Sequence, residues 1–174
     1  MISQLGPIMQ NAYVPRDFDR ALAFWTETVG VGPFFLMDHI DFQHLTYRGE
    51  PSDIDMSVAI GYWDDLQIEL IKQHNGAASI YKTWIDEGQS GLHHVCLLTP
   101  DMARARQVCE AAGATMLQEG SLAGGGEFFY VDTGGGPGTM VEVVKQTPQT
   151  VDLFGMMKAA ARDWDGSDAL RRLG

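Results

Sequence analysis

Along Ile8-Met9-Gln10-Asn11-Ala12-Tyr13-Val14 the chain changes character with a period of two, positions 8, 10, 12 and 14 falling on one face and 9, 11 and 13 on the other. That is the pattern of a strand, whose successive side chains point to opposite sides. A pattern of helical period follows, with apolar Ala21, Leu22, Phe24, Trp25 and Val29, Asp17 placed as N-cap and Gly30 as terminator. Strands are predicted around 34–37, 56–61 and 66–71, the last two joined by a tight turn near Trp63-Asp64-Asp65. The same order then recurs, with a strand over 92–98, a helix over 101–112 and strands near 114–118, 127–131 and 140–145. A short helix is predicted in the connection A-S-I-Y-K-T-W-I-D-E. An amphipathic helix over 150–163 has Val151, Leu153, Phe154, Met157 and Ala161 as its apolar side. The last residues, W-D-G-S-D-A-L-R-R-L-G, read as a loosely attached tail.

The recurrence extends to the letters themselves. Gln10 to Ala21 has the layout of His94 to Ala105: an aspartate, Asp17 or Asp101, lies seven residues after the first position, an Arg-Ala pair follows, and each helical stretch ends in glycine, Gly30 or Gly113. Glu69-Leu70-Ile71-Lys72-Gln73 returns as Glu142-Val143-Val144-Lys145-Gln146. Two paired landmarks in the same order define an internal repeat. The chain is therefore read as α+β: two βαβββ modules, residues 5–74 and 91–147, forming a concave mixed sheet, with a linker at 75–90 and a C-terminal helix and tail at 148–174.

The repeat puts polar groups at equivalent places. Gln10 shares a face with Ile8, Ala12 and Val14; Glu69 with Gln67 and Ile71; His94 with Leu92, Cys96 and Leu98; Glu142 with Met140 and Val144. Leu66, Ile68 and Leu70 supply the opposite, helix-covered face of their strand, which leaves Gln10, Glu69, His94 and Glu142 to line the concave side. Two carboxylates brought together away from water need compensation, and a divalent cation is the simplest. One imidazole, two carboxylates and an amide oxygen suit Zn²⁺, Co²⁺, Ni²⁺ or Mn²⁺. His93, beside His94, reads as solvent-facing or as a local hydrogen-bonding residue.

Composition narrows the classes of partner. Twelve Lys+Arg against 23 Asp+Glu gives a net charge of −11, which repels nucleic acid and anionic lipid. No apolar run reaches the length of a membrane helix, and the N-terminus M-I-S-Q-L-G-P has no signal-peptide pattern, so cytoplasmic residence is the expectation. Cys96 and Cys109 form no C-x-x-C pair and are expected to be reduced and buried. The glycine runs at 124–126 and from 134 lack the Lys and Ser/Thr of a phosphate loop and read as turns.

The stretches A-Y-V-P-R-D-F-D-R-A-L-A-F-W, G-V-G-P-F, G-L-H-H-V-C and T-M-V-E-V-V, within the paired modules, resemble the vicinal oxygen chelate superfamily over about residues 5–147. That superfamily includes glyoxalase I, methylmalonyl-CoA epimerase, extradiol dioxygenases and bleomycin-resistance proteins. The resemblance implies a glyoxalase-like fold, a homodimer, and metal ligands on the first and last strands of each module, which fall on Gln10, Glu69, His94 and Glu142. This set is similar to the zinc ligands of eukaryotic-type glyoxalase I.

The chemistry implied is transfer of a proton alpha to a carbonyl of a small molecule through a metal-stabilised enolate, by an isomerase, epimerase or lyase with Zn²⁺ as the first choice of ion. A glutamate at the metal is the family's base, which makes Glu142 the first candidate and Glu69 the second. Glyoxalase I usually has an arginine four residues after the first ligand, for the glutathione carboxylate; here that position is Val14. Few basic residues are present for CoA phosphates. Phe34, Phe35, Met37, Tyr62, Phe128 and Phe129 could instead line a pocket for an apolar carbonyl compound. The extradiol dioxygenases need two histidines where position 10 offers glutamine. The rival class is a metal-free protein of the same fold that sequesters a small molecule.

Overall fold

The computed structural model describes residues 1–173. Seven elements span the first half: β1 (Gln10–Val14), α1 (Phe18–Ala23), β2 (Phe34–Met37), β3 (Phe42–Tyr47), β4 (Glu50–Pro51), β5 (Met56–Trp63) and β6 (Leu66–Gln73). After α2 (Ile80–Asp86) come β7 (Gly91–Thr99), α3 (Met102–Ala111), β8 (Thr115–Leu122), β9 (Glu127–Asp132), β10 (Met140–Lys145), α4 (Pro148–Ala161) and β11 (Leu170–Arg172). The capping aspartates act as the sequence predicts: Asp17 accepts from the Arg20 N–H and Asp101 from the Arg104 N–H, each at 2.9 Å. Beyond α1 the helix continues over Phe24–Val29 with wider, π-type spacing and stops at Gly30, whose φ of 82° places it in the left-handed region.

All strands join one curved mixed sheet in the order β11-β2-β5-β6-β1-β7-β10-β9-β8-β3-β4. Its centre is the antiparallel pair β1 and β7, flanked by parallel neighbours β6 and β10. Outside the sheet, α1 and its extension bury Trp25 against Ile68, Leu70 and Phe34. On the other half α3 buries Ala105 and Cys109 against Leu97, Phe129 and Val143. Complete burial of an aliphatic or aromatic side chain contributes about 1.5–3 kcal/mol, so these two layers fix which face of each strand looks inward. On the inner side, Tyr81 and Trp84 of α2 join Ala12, Val14, Val58 and Tyr130, while Met157 of α4 packs on Phe35, Ile60 and Tyr62. No helix of the described residues is long and apolar enough to cross a membrane.

Three features depart from the sequence reading. The hairpin β3–β4 is an addition, and on its other side β3 pairs with β8 of the second half, Leu45 facing Gly120 and Thr46 facing Glu119. Its sequence F-Q-H-L-T-Y buries only Leu45, so no clean alternation marks it as a strand. The expected loose tail is ordered: β11 pairs in parallel with β2, Leu170 facing Phe34. Ahead of it the Trp164 ring lies so close to Gly32 that a Cβ there would come within 2.7 Å of the ring. Val151, assigned to the apolar side of the last helix, is exposed, whereas Met157 of that helix is fully buried.

Candidate metal centre

The register of the sheet lines up the polar residues in two adjacent rows. In one, Gln67 faces Gln10, Gln10 faces Cys96, Cys96 faces Glu142 and Glu142 faces Tyr130. In the other, Glu69 faces Ala12, Ala12 faces His94 and His94 faces Met140. Cross-strand partners share a face, so Glu69 is separated from His94 by Ala12, and Gln10 from Glu142 by Cys96. The short side chains leave room over the strands in which the longer ones converge.

Glu69, His94 and Glu142, from β6, β7 and β10, bring one donor atom each within 4.8 Å of one another, and all are buried. His94 Nε2 lies 3.2 Å from Glu142 Oε2 and 3.8 Å from Glu69 Oε2. Two donors on a tetrahedral zinc-class ion are roughly 3.3 Å apart, so the set matches such an ion with small adjustment. Gln10 is buried on the same inner face and lines the same cavity as Glu69 and Glu142. Its amide NH₂ donates to Gln67 Oε1 at 2.8 Å, and Gln67 in turn donates to the Tyr62 hydroxyl at 2.6 Å. This chain orients the amide so that Gln10 Oε1 is the free end, and that buried oxygen finds no hydrogen-bond partner among the described residues. An orphaned buried acceptor on a cavity shared with two buried carboxylates is a polar group in want of a cation.

Glu142 is held by a chain of two phenols. Tyr130 donates to Glu142 Oε1 at 2.5 Å and Tyr81 donates to the Tyr130 hydroxyl at 2.8 Å. Burial first, and then the Glu142 carboxylate, push both phenols well above their ordinary value, so they stay protonated donors. Burial and the neighbouring Glu142 also raise Glu69 well above the usual carboxylate range. Burial, reinforced by Glu142 and Glu69, raises the Cys96 thiol, so it stays uncharged.

Of the two readings of His93, the solvent-facing one is overturned and the local hydrogen-bonding one holds. The β1–β7 register shifts between Ala12 and Tyr13, and the resulting irregularity turns His93 inward beside His94, leaving it 1% exposed. Its Nδ1 lies 2.9 Å from His94 Nδ1, so one of the two nitrogens carries the hydrogen and the other accepts it. Burial, followed by the proximity of His94, lowers His93 to about 3, which keeps it neutral. With His94 Nδ1 as the donor, His94 Nε2 presents its lone pair to the carboxylates.

The inner face opens on a cavity of about 330 Å³. Its walls are Met37, Phe42, Met56 and Ile60 on one side, Phe128 and Val144 on the other, and Thr150, Leu153 and Phe154 of α4 across the top. Of the aromatic and methionine residues picked out in the sequence, Met37 and Phe128 reach this cavity. Phe34 and Phe129 are fully buried beneath α1 and α3, and Phe35 and Tyr62 pack under α4. Among the described residues no lysine or arginine lines the cavity. The sequence reading missed Tyr81 and Tyr130, and gave neither Gln67 nor Tyr62 its part in orienting Gln10. Gln67 alone carried a signal, being two residues from Glu69 and so on its face.

Among solved structures, a hypothetical protein from Bacillus halodurans C-125 superposes with a TM-score of 0.59 at 15% identity, covering 82% of this chain and 96% of its own. Methylmalonyl-CoA epimerase from Mycobacterium tuberculosis gives 0.58 at 13% identity, covering 83% and 91%. Methylmalonyl-CoA epimerase from Streptomyces coelicolor, in complex with 2-nitronate-propionyl-CoA, gives 0.55 at 16% identity, covering 83% and 96%. These likenesses establish the glyoxalase-like fold. No curated protein matches the sequence significantly. The model of the glyoxalase/bleomycin resistance protein/dioxygenase superfamily matches residues 9–131, and the chain belongs to that superfamily.

Proposed function

We propose that Gln10, Glu69, His94 and Glu142 hold one divalent ion, with Zn²⁺ the first choice, and that the protein is an isomerase, epimerase or lyase moving a proton alpha to a carbonyl. The observation that carries this reading is the convergence of three buried donors, with the orphaned Gln10 on the same wall of a mostly apolar cavity. A pocket that merely sequestered an apolar molecule would have no use for two buried carboxylates. When bound, the ion supplies positive charge against a carbonyl oxygen whose adjacent carbon is losing a proton.

The hydrogen bonding supports a division of labour between the glutamates. Glu142 is tied by Tyr130, and through it by Tyr81, which suits a fixed ligand. Among the described residues no hydroxyl donates to Glu69, the freer carboxylate, so it is favoured as the group that takes the proton and returns it to another face or carbon. This reverses the order of preference that the sequence alone suggests. The apolar walls and α4 exclude water while the proton is held.

The substrate we infer is small, apolar and uncharged. The epimerase neighbours include one in complex with methylmalonyl-CoA and NH₄⁺. Here the cavity offers no cation to a chain of phosphates, and Lys145, near its mouth, is paired with Glu127 at 2.7 Å. The test has two parts. Protein purified without chelator is analysed for metal, with about one ion per chain expected. Racemic α-branched ketones and aldehydes are then incubated with it in D₂O and followed by NMR for loss of the α-proton signal. Absence of tightly bound metal, together with saturable binding and no exchange, would sink the enzyme reading in favour of a sequestering protein.

A further inference from the structure

Beyond the central site, the described residues gather metal-capable donors at one other place, formed by Asp38, His39 and His74. Asp38 and His39 follow β2, and His74 follows β6, so the three meet across the end of the intervening β5. Met56 and Val58 of β5 line the inner cavity, and Ser57 between them points the other way, into this cluster. The cluster is thus on the outer face of the sheet and shares no residue with the central site.

One donor atom from each of the three residues lies within 4.8 Å of the other two, and His39 Nε2 is 3.9 Å from Asp38 Oδ1. The imidazoles stack face to face, with centroids 4.6 Å apart and planes inclined by 26°, so both nitrogens reach one ion once one of the two exposed rings turns about its side-chain bonds. Behind His39 stands a second carboxylate: its Nδ1 lies 2.6 Å from Asp55 Oδ1. A hydrogen on Nδ1, donated to Asp55, leaves the lone pair on Nε2 facing the cluster, the arrangement by which carboxylates orient metal-binding histidines. We propose that Asp38, His39 and His74 form a second, solvent-open site for a zinc-class divalent ion.

The competing contacts are few. Ser57 Oγ donates to Asp38 Oδ1 at 2.6 Å, accepts the His39 N–H at 3.1 Å and lies 2.7 Å from His74 Nε2; Arg172 holds the other Asp38 oxygen. Loading the site requires His74 to move its hydrogen to Nδ1, a tautomer exchange that costs little on an exposed ring. It also requires Asp38 Oδ1 to accept the ion beside the serine hydroxyl, and a carboxylate oxygen has lone pairs for both. Two imidazoles and one carboxylate select Zn²⁺, Ni²⁺ or Cu²⁺ over Mg²⁺ and Ca²⁺, which favour oxygen-only sets. Water completes the coordination on the open side.

The experiment is calorimetric titration of chelator-stripped protein with Zn²⁺, for the wild type, His39→Gln, His74→Gln and a central variant, Glu142→Ala. The wild type is expected to take up two ions, and each histidine variant to lose the weaker event or weaken it at least tenfold. Glu142→Ala should retain that event. Uptake by His74→Gln and His39→Gln indistinguishable from the wild type would overturn the second site. A wild type that takes up one ion, lost in the histidine variants, would support the second site while removing the central one. As a readout free of substitutions, the imidazole ¹⁵N spectrum of the wild type should show the Nε2 atoms of His39 and His74 becoming ligated on Zn²⁺ addition. Unchanged His39 and His74 resonances at saturation would also sink the proposal.

Discussion

Glu69 on β6 and Glu142 on β10 approach the same nitrogen, Nε2 of His94, from the two halves of the sheet, at 3.8 and 3.2 Å. Neither half holds more than one of these carboxylates, so closing the sheet at β1 and β7 is what creates their mutual repulsion. Burial and Glu142 raise the Glu69 pKa above its ordinary 4.5, so without metal the folded protein holds a proton that the unfolded chain has released. That stabilisation is present in full below about 4.5 and is lost as pH rises through the raised folded value. Chelator-treated wild type should therefore lose stability relative to Glu69→Gln as pH is raised from about 5 to 8. Urea unfolding of both proteins across that range checks it, and parallel curves would contradict it.

His93 titrates in the opposite sense. Its folded value of about 3 lies below the ordinary 6.5, so below about pH 6.5 the unfolded chain gains a proton that the folded protein refuses. Stability from this residue is complete above 6.5 and falls by about 1.4 kcal/mol per pH unit toward 3. In His93→Asn the pH dependence of the unfolding free energy between 6.5 and 4.5 should be shallower by about one proton. An unchanged slope would mean that His93 is charged in the folded state.

Removing the Tyr130 hydroxyl tests how Glu142 is held. Tyr130→Phe deletes the 2.5 Å hydrogen bond and leaves Tyr81 without its acceptor. Metal affinity is expected to fall about 10–100-fold, the usual effect of losing a partner of a metal ligand. Stability of the metal-free protein should drop by about 1–2 kcal/mol. Competition with a chromogenic chelator measures the first and denaturant unfolding the second.

Ala12 is the floor between Glu69 and His94, and its side chain is fully buried. Ala12→Leu places a branched side chain in the space where the donors converge. Metal binding should be lost while the fold persists, at a destabilisation of about 1–3 kcal/mol. Retained stoichiometric metal in a folded Ala12→Leu protein would show that the ion does not sit over β1.

The C-terminal strand offers a test of the tail. Ending the chain after Ala161 removes β11 from the edge of β2 and the Trp164 ring from Gly32. The truncated protein should melt several degrees lower, because an apolar edge strand is uncovered. Calorimetry of the two lengths decides it.

Much of this was legible in residue order. The repeat placed Gln10, Glu69, His94 and Glu142 at equivalent strand positions, and alternation told which face Leu66, Ile68 and Leu70 would give to the helix. What could not be read depends on register between strands distant in sequence. Tyr130 reaches Glu142 because β9 and β10 pair in that phase, and no pattern within Glu127–Asp132 announces it. His93 turned inward through a local shift of register that strict alternation cannot foresee. The strand Leu170–Arg172 was missed because three residues, two of them arginines, gain their partner only from the open edge of β2. Likewise β3, with its single buried leucine, is a strand by virtue of β8.

That exchange of β3 has a consequence for how the molecule is inherited and cut. The chain repeats itself in order, but the hairpin of the first copy completes the sheet of the second, so the repeat is not a seam. Fragments divided in the 75–90 connection would part at three strand pairs, β1 from β7, β3 from β8 and β2 from β11, and each would hold what the other lacks. Such pieces are built to reassemble with one another, or with further copies of themselves, rather than to live apart.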